Sequence, residues 1–542
     1  MTRIFKIPTP INEPVLNYSP NSLEKIALKA ELERQSKVVV EIPLIIGGEE
    51  IVTRKKGKVT MPHNHKHVLA NFSFAEEPEL KKAVESAKQA KEDWSHMSFE
   101  HRAAIFLKAA ELISTKYRAL INAATMLGQN KTVHQAEIDS ACELADFLRF
   151  NVKFAEEIYS VQPVNSKGVW NRVEYRPLDG FVAAISPFNF TAIGGNLSAA
   201  PALMGNTVVW KPAATATLSN YYVMQIFIEA GLPKGVINFV PSQGTLFSEI
   251  VVKDSDMSGV HFTGSTETFN TVWKNIANNL DSYKSYPRLV GETGGKDFTF
   301  VHNSYNDIDR IVTAIIRGAF EYQGQKCSAC SRAYVPKSMW EELKKKLLKE
   351  VKKIKVGDVT DFTNFMGAVI DEKSFDNITK YIEDAKKSKD VEVLTTGYDK
   401  SIGWFIQPTI IETKDPNYIT MKDELFGPVL TIFVYDDNDF EKTLEICDKG
   451  SKYALTGAIF AKGRDIIAKM EKALTYAAGN FYINDRCTGA VVGQQPFGGS
   501  RASGTNDKAG SALNLYRWIN PRTIKETFNS DPNFEYPFME GK

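Results

Sequence analysis

Cysteine is scarce in this chain: the five at positions 142, 327, 330, 447 and 487 are too few and too scattered over 542 residues to form a disulfide framework. That usage points to a reducing compartment. Charge of one sign is missing as well. Lys and Arg total 66 against 65 for Asp and Glu, a formal net charge of +1, which removes any global electrostatic case for nucleic acid or a membrane surface and leaves a small molecule as the expected partner. No apolar run reaches the length of a bilayer-spanning helix. The opening Met1–Pro10 has neither the apolar core of a secretion signal nor the Arg- and Ser-rich pattern of a transit peptide. The expected location is therefore the cytoplasm for a bacterial chain, or the mitochondrial matrix for a processed eukaryotic one. There is no low-complexity segment, no short-period repeat and no GxGxxG.

With 43% hydrophobic and 24% charged residues the chain is globular and long enough for two or three domains. Residues 1–44 read as an extended, Pro-punctuated arm carrying a helix near Ser22 to Gln35. His63-Asn64-His65-Lys66-His67 resembles a metal tract but has no Cys, Asp or Glu beside it, so it reads as a solvated turn and no metal is assigned. From Glu76 to Tyr159 the three- and four-residue spacing of apolar positions predicts three long helices ahead of the first core strand. Most of the acids Glu137, Asp139, Glu143 and Asp146 on the third are expected to be solvated or capping.

Strand and helix signals then alternate. The strands are expected at Trp170 to Arg176, Phe181 to Ile185, Thr207 to Trp210, Val236 to Val240 and Gly259 to Phe262, and a second series begins at Phe298. That is the pattern of doubly wound parallel sheets, in which ligand crevices lie beyond the carboxyl ends of strands. Phe262-Thr263-Gly264-Ser265-Thr266, a strand end, a glycine and a helix start, suits a pyrophosphate.

Two loops carry candidate chemistry. In Gly324-Gln325-Lys326-Cys327-Ser328-Ala329-Cys330, small and polar residues leave Cys327 where a substrate can approach, and the thiol needs a base or donors to attack. In Leu289-Val290-Gly291-Glu292-Thr293-Gly294-Gly295-Lys296 a carboxylate sits between glycines after a strand. A cysteine and a glutamate on separate loops fit covalent catalysis. Read without further context, the two cysteines equally suit core thiols or a redox pair.

The ordered set Pro187-Phe188-Asn189, Lys211-Pro212, Phe262-Thr263-Gly264-Ser265, Glu292-Thr293-Gly294-Gly295-Lys296, Gly324-Gln325-Lys326-Cys327, Glu424-Leu425-Phe426-Gly427-Pro428 and Pro496-Phe497-Gly498-Gly499 resembles the aldehyde dehydrogenase superfamily, from about residue 45 to the C-terminus. Finer spellings, Phe190-Thr191-Ala192-Ile193-Gly194-Gly195-Asn196, Cys327-Ser328-Ala329-Cys330-Ser331-Arg332 and Val492-Gly493-Gln494-Gln495, resemble its branch that oxidises glutamate semialdehyde.

The resemblance implies a nucleophile at Cys327, an oxyanion donor at Asn189 and a general base at Glu292. It implies NAD as cofactor, held by Ser186, Lys211, Gly264, Ser265, Thr266, Glu267, Thr268, Glu424 and Phe426. Many NAD-preferring relatives carry Glu three residues after the Lys, where this chain has Ala214, so NADP stays open as a second cofactor. For the substrate it implies an anchor loop at Thr488, Gly489 and Ala490 which, with Ser328, meets an α-carboxylate; Phe190 and Phe497 against the aliphatic chain; and Glu143 against the α-ammonium. Cys487 stands where many relatives have Ser, and Cys330 is read as structural support that could pair with Cys327 on oxidation.

The fold so implied has two doubly wound parallel-sheet domains and a small oligomerisation element. Residues 45–159 and 181–290 form the NAD-binding domain, 291–507 the catalytic domain, and 160–180 with 508–542 an oligomerisation element built on a hairpin near 160 to 180. A homo-oligomer, dimer or higher, is expected, with a proline dehydrogenase as a possible partner. Alternatives are another NAD(P)-dependent semialdehyde dehydrogenase, an inactive binding protein of the same fold, or a thiol hydrolase that would need no cofactor loops.

Overall fold

Short runs of Val, Ile, Phe and Ala between residues 181 and 292 have no polar face, and such strands are stable only where helices cover both sides. In the computed structural model, which describes residues 5–541, they form five parallel strands in the spatial order Arg288–Glu292, Met257–Thr263, Phe181–Ile185, Thr207–Lys211, Ile237–Phe239. Two antiparallel strands, Leu44–Ile46 and Glu49–Ile51, extend the far edge to seven. The first core strand therefore precedes the helical region instead of following it. Met1–Ile4 of the expected arm and Lys542 lie outside the described residues.

The helical region holds four long helices, not three: Glu77–His96, Phe99–Ser114, Arg118–Gln129 and Leu144–Ser160. Asn130, with φ +60°, stops the third in a left-handed cap. A short helix, Val133–Ala136, and one π-helical stretch, Glu137–Glu143, lead into the fourth. Glu137, Asp139 and Asp146 are buried, against expectation, because the N-terminal arm lies over two of them. Tyr18 Oη donates to Glu137 at 2.7 Å and the Glu13 N–H to Asp146 at 2.7 Å. Arg118 pairs with Glu137 and, at 2.6 Å, with Glu13. His63 is likewise no solvated turn residue: it is buried, 2.5 Å from the Asn130 amide and 3.3 Å from Asp358, and burial holds its imidazole below the usual range.

The second sheet also has seven strands, Val391–Thr395, Thr409–Thr413, Val429–Tyr435, Cys330–Pro336, Asp297–Val301, Thr456–Phe460 and Asn480–Ile483, all parallel except the first. Its amino ends face the carboxyl ends of the first sheet. From the second sheet, the loops bearing Cys327 and Glu424 precede the strands Cys330–Pro336 and Val429–Tyr435, whereas the loop bearing Thr488 follows Asn480–Ile483. Val169–Pro177 pairs antiparallel with Ile519–Thr527 as a separate, largely exposed two-stranded ribbon. The expected hairpin is therefore a single strand whose partner comes from the tail. Among the described residues no helix is long and apolar enough to cross a membrane.

Candidate active site

After helix Ile308–Phe320 the residues Tyr322, Gln323 and Gly324 follow one another in left-handed backbone, with φ of 54°, 56° and 66°. Each non-glycine residue held so costs roughly 1–3 kcal/mol and persists only where surrounding contacts fix it. Gln323 supplies them: its Nε2 donates to Asn130 O at 3.0 Å and Ala368 O at 2.8 Å, and its Oε1 accepts from Gly367 N at 2.9 Å. At Gly324 a Cβ would lie 2.3 Å from the Gly427 carbonyl oxygen, so only glycine fits. The turn leaves Cys327 partly open between buried Lys326 and Ser328.

Asn189 follows the strand Phe181–Ile185 and is buried, with its Nδ2 donating to Gln325 O at 3.1 Å. The Cys327 thiol is pushed well up, first by burial and then by the carboxylates of Asp297, Glu292 and Glu424. Glu292 ends the strand Arg288–Glu292, and its Oε2 is buried with no hydrogen-bond partner among the described residues. Burial raises its carboxyl well above the ordinary range; Lys508 opposes the shift and Asp507 reinforces it. Gly498 makes room for this carboxylate, since a Cβ there would stand 2.9 Å from Oε1. Burial therefore favours the neutral form of both Cys327 and Glu292.

Around the carboxyl edge of the first sheet, Lys211 ends the strand Thr207–Lys211 and its ammonium has no partner among the described residues; burial alone lowers it to about 8. An unpaired, half-buried cation at a strand end fits the hydroxyls and phosphates of a dinucleotide. Ser186 gives its N–H to Lys211 O at 3.1 Å and accepts from Trp210 Nε1 at 3.0 Å. Ser265 caps helix Thr266–Ala277, accepting from Thr268 N at 3.2 Å, with Glu267 exposed in the first turn. Gly264 gives its N–H to Glu292 O at 3.2 Å. Thr266 Oγ1 donates to Ala502 O at 3.1 Å. Across the crevice Glu424 accepts from Gly295 N at 2.8 Å and is pushed up to about 7 by burial, while Phe426, at φ +55°, packs edge-on against Phe188.

On the opposite side of Cys327, Ser328 Oγ and Thr488 Oγ1 share a hydrogen bond of 2.8 Å, which ties the nucleophile loop to the loop bearing Gly489 and Ala490. Gly489 has φ +98°. Phe190 precedes helix Thr191–Leu203 and is partly buried, as is Phe497, whose N–H donates to Ala509 O at 2.9 Å. Glu143 closes the π-helical stretch, the kind of local irregularity that recurs at functional sites; burial, then Asp139, pushes it up to about 8 against the pull of Lys131. All five cysteines are free, and Cys330 lies buried beside Thr299, at 3.2 Å, and Cys487.

Sequence reasoning missed Lys131, which is fully buried, bonds Asp139 at 2.7 Å and lies 3.6 Å above the Phe190 ring. It missed Lys508, whose ammonium donates to Gly479 O at 2.8 Å and Gly498 O at 2.9 Å beside Glu292. It also missed Glu321 and Arg486.

Residues 51–524 match the aldehyde dehydrogenase family. The chain is 57% identical over 537 residues to the mitochondrial delta-1-pyrroline-5-carboxylate dehydrogenase of Dictyostelium discoideum, covering 98% of this chain and 96% of that one. It is 50% identical over 531 residues to the human enzyme of the same name, covering 98% and 94%. The crystal structure of the delta-pyrroline-5-carboxylate dehydrogenase from Mycobacterium tuberculosis bound with NAD superposes with a TM-score of 0.96 at 49% identity, covering 99% of this chain and 100% of that one.

Proposed function

The chain belongs to the aldehyde dehydrogenase family, and from that premise we propose how its residues carry out the NAD-dependent oxidation of L-glutamate γ-semialdehyde, in equilibrium with 1-pyrroline-5-carboxylate, to L-glutamate in proline catabolism. The observation that carries this reading is the opening of Cys327 between two fixed groups, Asn189 on one side and the Ser328–Thr488 pair on the other.

Cys327 Sγ attacks the aldehyde carbon. Because burial favours the protonated thiol, its proton passes to solvent water as the C–S bond forms. The oxyanion of the thiohemiacetal meets Asn189 Nδ2 and the Cys327 N–H, donors fixed before the charge develops. NAD, when bound, accepts the hydride from that carbon and leaves a thioester. Glu292 then takes a proton from the water that attacks the thioester, and Cys327 departs as the leaving group. Burial favours the neutral form of Glu292, whose Oε2 is unpaired among the described residues, so it must first release its own proton to solvent, a loss that the Lys508 ammonium favours.

Lys211 would hold the adenosine ribose, Gly264, Ser265 and the first turn of helix Thr266–Ala277 would face the pyrophosphate, Ser186 would contribute through its backbone, and Glu424 and Phe426 would hold the nicotinamide end. Thr266, Glu267 and Thr268 would line the pyrophosphate side. NADP is the weaker second cofactor, left possible by Ala214. For the substrate, Ser328, Gly489 and Ala490 would bind the α-carboxylate, Phe190 and Phe497 the carbon chain, and Glu143 the α-ammonium.

Residues 45–159 and 181–290 would form the NAD-binding domain, 291–507 the catalytic domain, and 160–180 with 508–542 an oligomerisation element of a dimer or larger homo-oligomer. The exposed ribbon of Val169–Pro177 and Ile519–Thr527 supports this, since two strands alone are marginal in water. A proline dehydrogenase would supply the substrate. For a eukaryotic chain the compartment would be the mitochondrial matrix, in keeping with the mitochondrial relatives.

The test is NADH formation by the purified protein with 1-pyrroline-5-carboxylate beside simple aliphatic aldehydes, for wild type and Cys327→Ala. Selective turnover of the pyrroline compound, lost in the variant, is expected. Preference for simple aldehydes would overturn the substrate assignment, and undiminished turnover by Cys327→Ala would overturn the nucleophile.

A further inference from the structure

Two loops on either side of the reacting carbon must keep a fixed separation if one is to hold a carboxylate while the other presents a thiol. Glu321, the last residue before the left-handed turn, lies between them and is 7% exposed. Its Oε2 is 3.3 Å from Lys326 Nζ, on the residue before Cys327, and its Oε1 is 3.4 Å from Arg486 Nη1. Arg486 Nε in turn donates to Thr488 O at 3.1 Å. Thr488 Oγ1 and Ser328 Oγ close the circuit at 2.8 Å, on the residue after Cys327. The guanidinium also underlies the neighbouring turn, for a Cβ on Gly489 would stand 3.0 Å from Arg486 Nη2.

We infer that Glu321 and Arg486 are positioning residues that set the span between the thiol of Cys327 and the carboxylate-binding loop at Gly489, and so select aldehydes bearing a carboxylate at that span. The inference rests on the substrate reading above and adds residues that never touch the substrate. Five residues from two stretches, 321–328 and 486–488, make one closed ring of contacts, and the nucleophile sits between Lys326 and Ser328 on it. A rigid link of this kind fixes distance, and misplacement by about 1 Å is enough to cost a hundredfold in rate.

Charge supports the same role. Burial raises the Glu321 carboxyl, but Lys326 and Arg486 overcome it and hold the group below its ordinary range, so it is ionised. One anion between two cations leaves an excess positive charge beside the anchor loop, which favours an anionic substrate. The other titratable group acting on Glu321 is His134, held largely neutral by burial.

The test compares Glu321→Gln, Arg486→Met and Arg486→Lys with wild type in the full-length protein, using 1-pyrroline-5-carboxylate and, separately, pentanal, which has a similar chain and no carboxylate. Removing one partner of a buried charge-assisted link predicts a rise in KM for the pyrroline compound of about tenfold or more in Glu321→Gln and Arg486→Met. For pentanal kcat/KM should stay within about threefold, and Arg486→Lys should recover part of the lost selectivity. Parallel losses on both substrates, or no loss on either, would overturn the inference. Should Glu321→Gln fail to fold, the more exposed Arg486 variants decide the matter. If wild type itself prefers pentanal, the substrate reading falls; if wild type prefers the pyrroline compound and the variants show no split, the positioning role alone falls.

Discussion

The side-chain amide of Asn189 reaches across from the first sheet to the second, its Nδ2 lying 3.1 Å from the carbonyl oxygen of Gln325, two residues before the nucleophile. An amide nitrogen has two hydrogens. One is taken by this contact, and the other remains for an oxyanion. The hydrogen bond that fixes the nucleophile loop therefore also aims the donor.

Asn189→Ala is expected to lower kcat by about 100- to 1,000-fold with little change in KM, the usual loss when one preorganised oxyanion donor is removed. Steady-state NADH formation measures it. A change confined to KM would mean that Asn189 binds ground-state substrate and does not stabilise the oxyanion.

Glu143 gives a pH prediction with a definite sign. Its carboxyl is raised to about 8, above the ordinary value of 4.5, mainly by burial. The neutral form is favoured in the folded protein, so its contribution to stability is complete below about pH 4.5 and is lost as pH rises through about 8. The unliganded wild type should lose thermal midpoint between about pH 5 and 8 relative to Glu143→Gln, and level off above that. An α-ammonium group prefers the ionised carboxylate, so KM for 1-pyrroline-5-carboxylate should fall as pH rises through about 8 in wild type, and the slope should flatten in Glu143→Gln. Identical pH profiles in the two proteins would remove Glu143 from the site.

How much of this was legible in the sequence depended on how local each cause was. The strand Phe181–Ile185 has the bounds its apolar run predicts, and Ser22 caps the first helix where its spacing places it. Both outcomes rest on neighbouring residues. Glu137 was read as solvated because its helix neighbours give no hint of cover; the Tyr18 hydroxyl that meets it comes from 119 positions away. The left-handed turn after helix Ile308–Phe320 was hidden for the same reason, since Gln323 stabilises it through Asn130 and Gly367, both remote in sequence. Glycine-rich motifs around Cys327 and Glu292 were readable as close approaches of backbone. The charged ring through Glu321 and Arg486 was not, because 165 residues separate its two ends.

Gly324→Ala tests the nucleophile turn. A Cβ at φ +66° costs roughly 1–3 kcal/mol in backbone strain, and the clash with Gly427 O adds roughly as much again. Thermal unfolding should shift down by several degrees, and the rate of Cys327 alkylation by iodoacetamide should change by more than about tenfold as the loop moves. An unchanged alkylation rate would separate the strained turn from the presentation of the thiol.

Ala214 decides between cofactors by what it omits. It is exposed at the start of the short helix Ala214–Ala216, three residues after Lys211. A carboxylate there would face the ribose held by Lys211 and repel a 2′-phosphate, and like charges about 4 Å apart near a protein surface repel by up to roughly 4 kcal/mol before screening. Without it the site keeps an unpaired cation and no opposing anion. Wild type should therefore reduce NADP measurably, more slowly than NAD. Ala214→Glu should lower kcat/KM for NADP at least tenfold while leaving that for NAD within about twofold. The comparison needs both cofactors on the same preparations, at low and at high salt. A repulsion of this kind weakens as salt rises, so a discrimination ratio that shrinks with ionic strength would identify the charge as its cause, whereas a salt-independent ratio would point to steric exclusion.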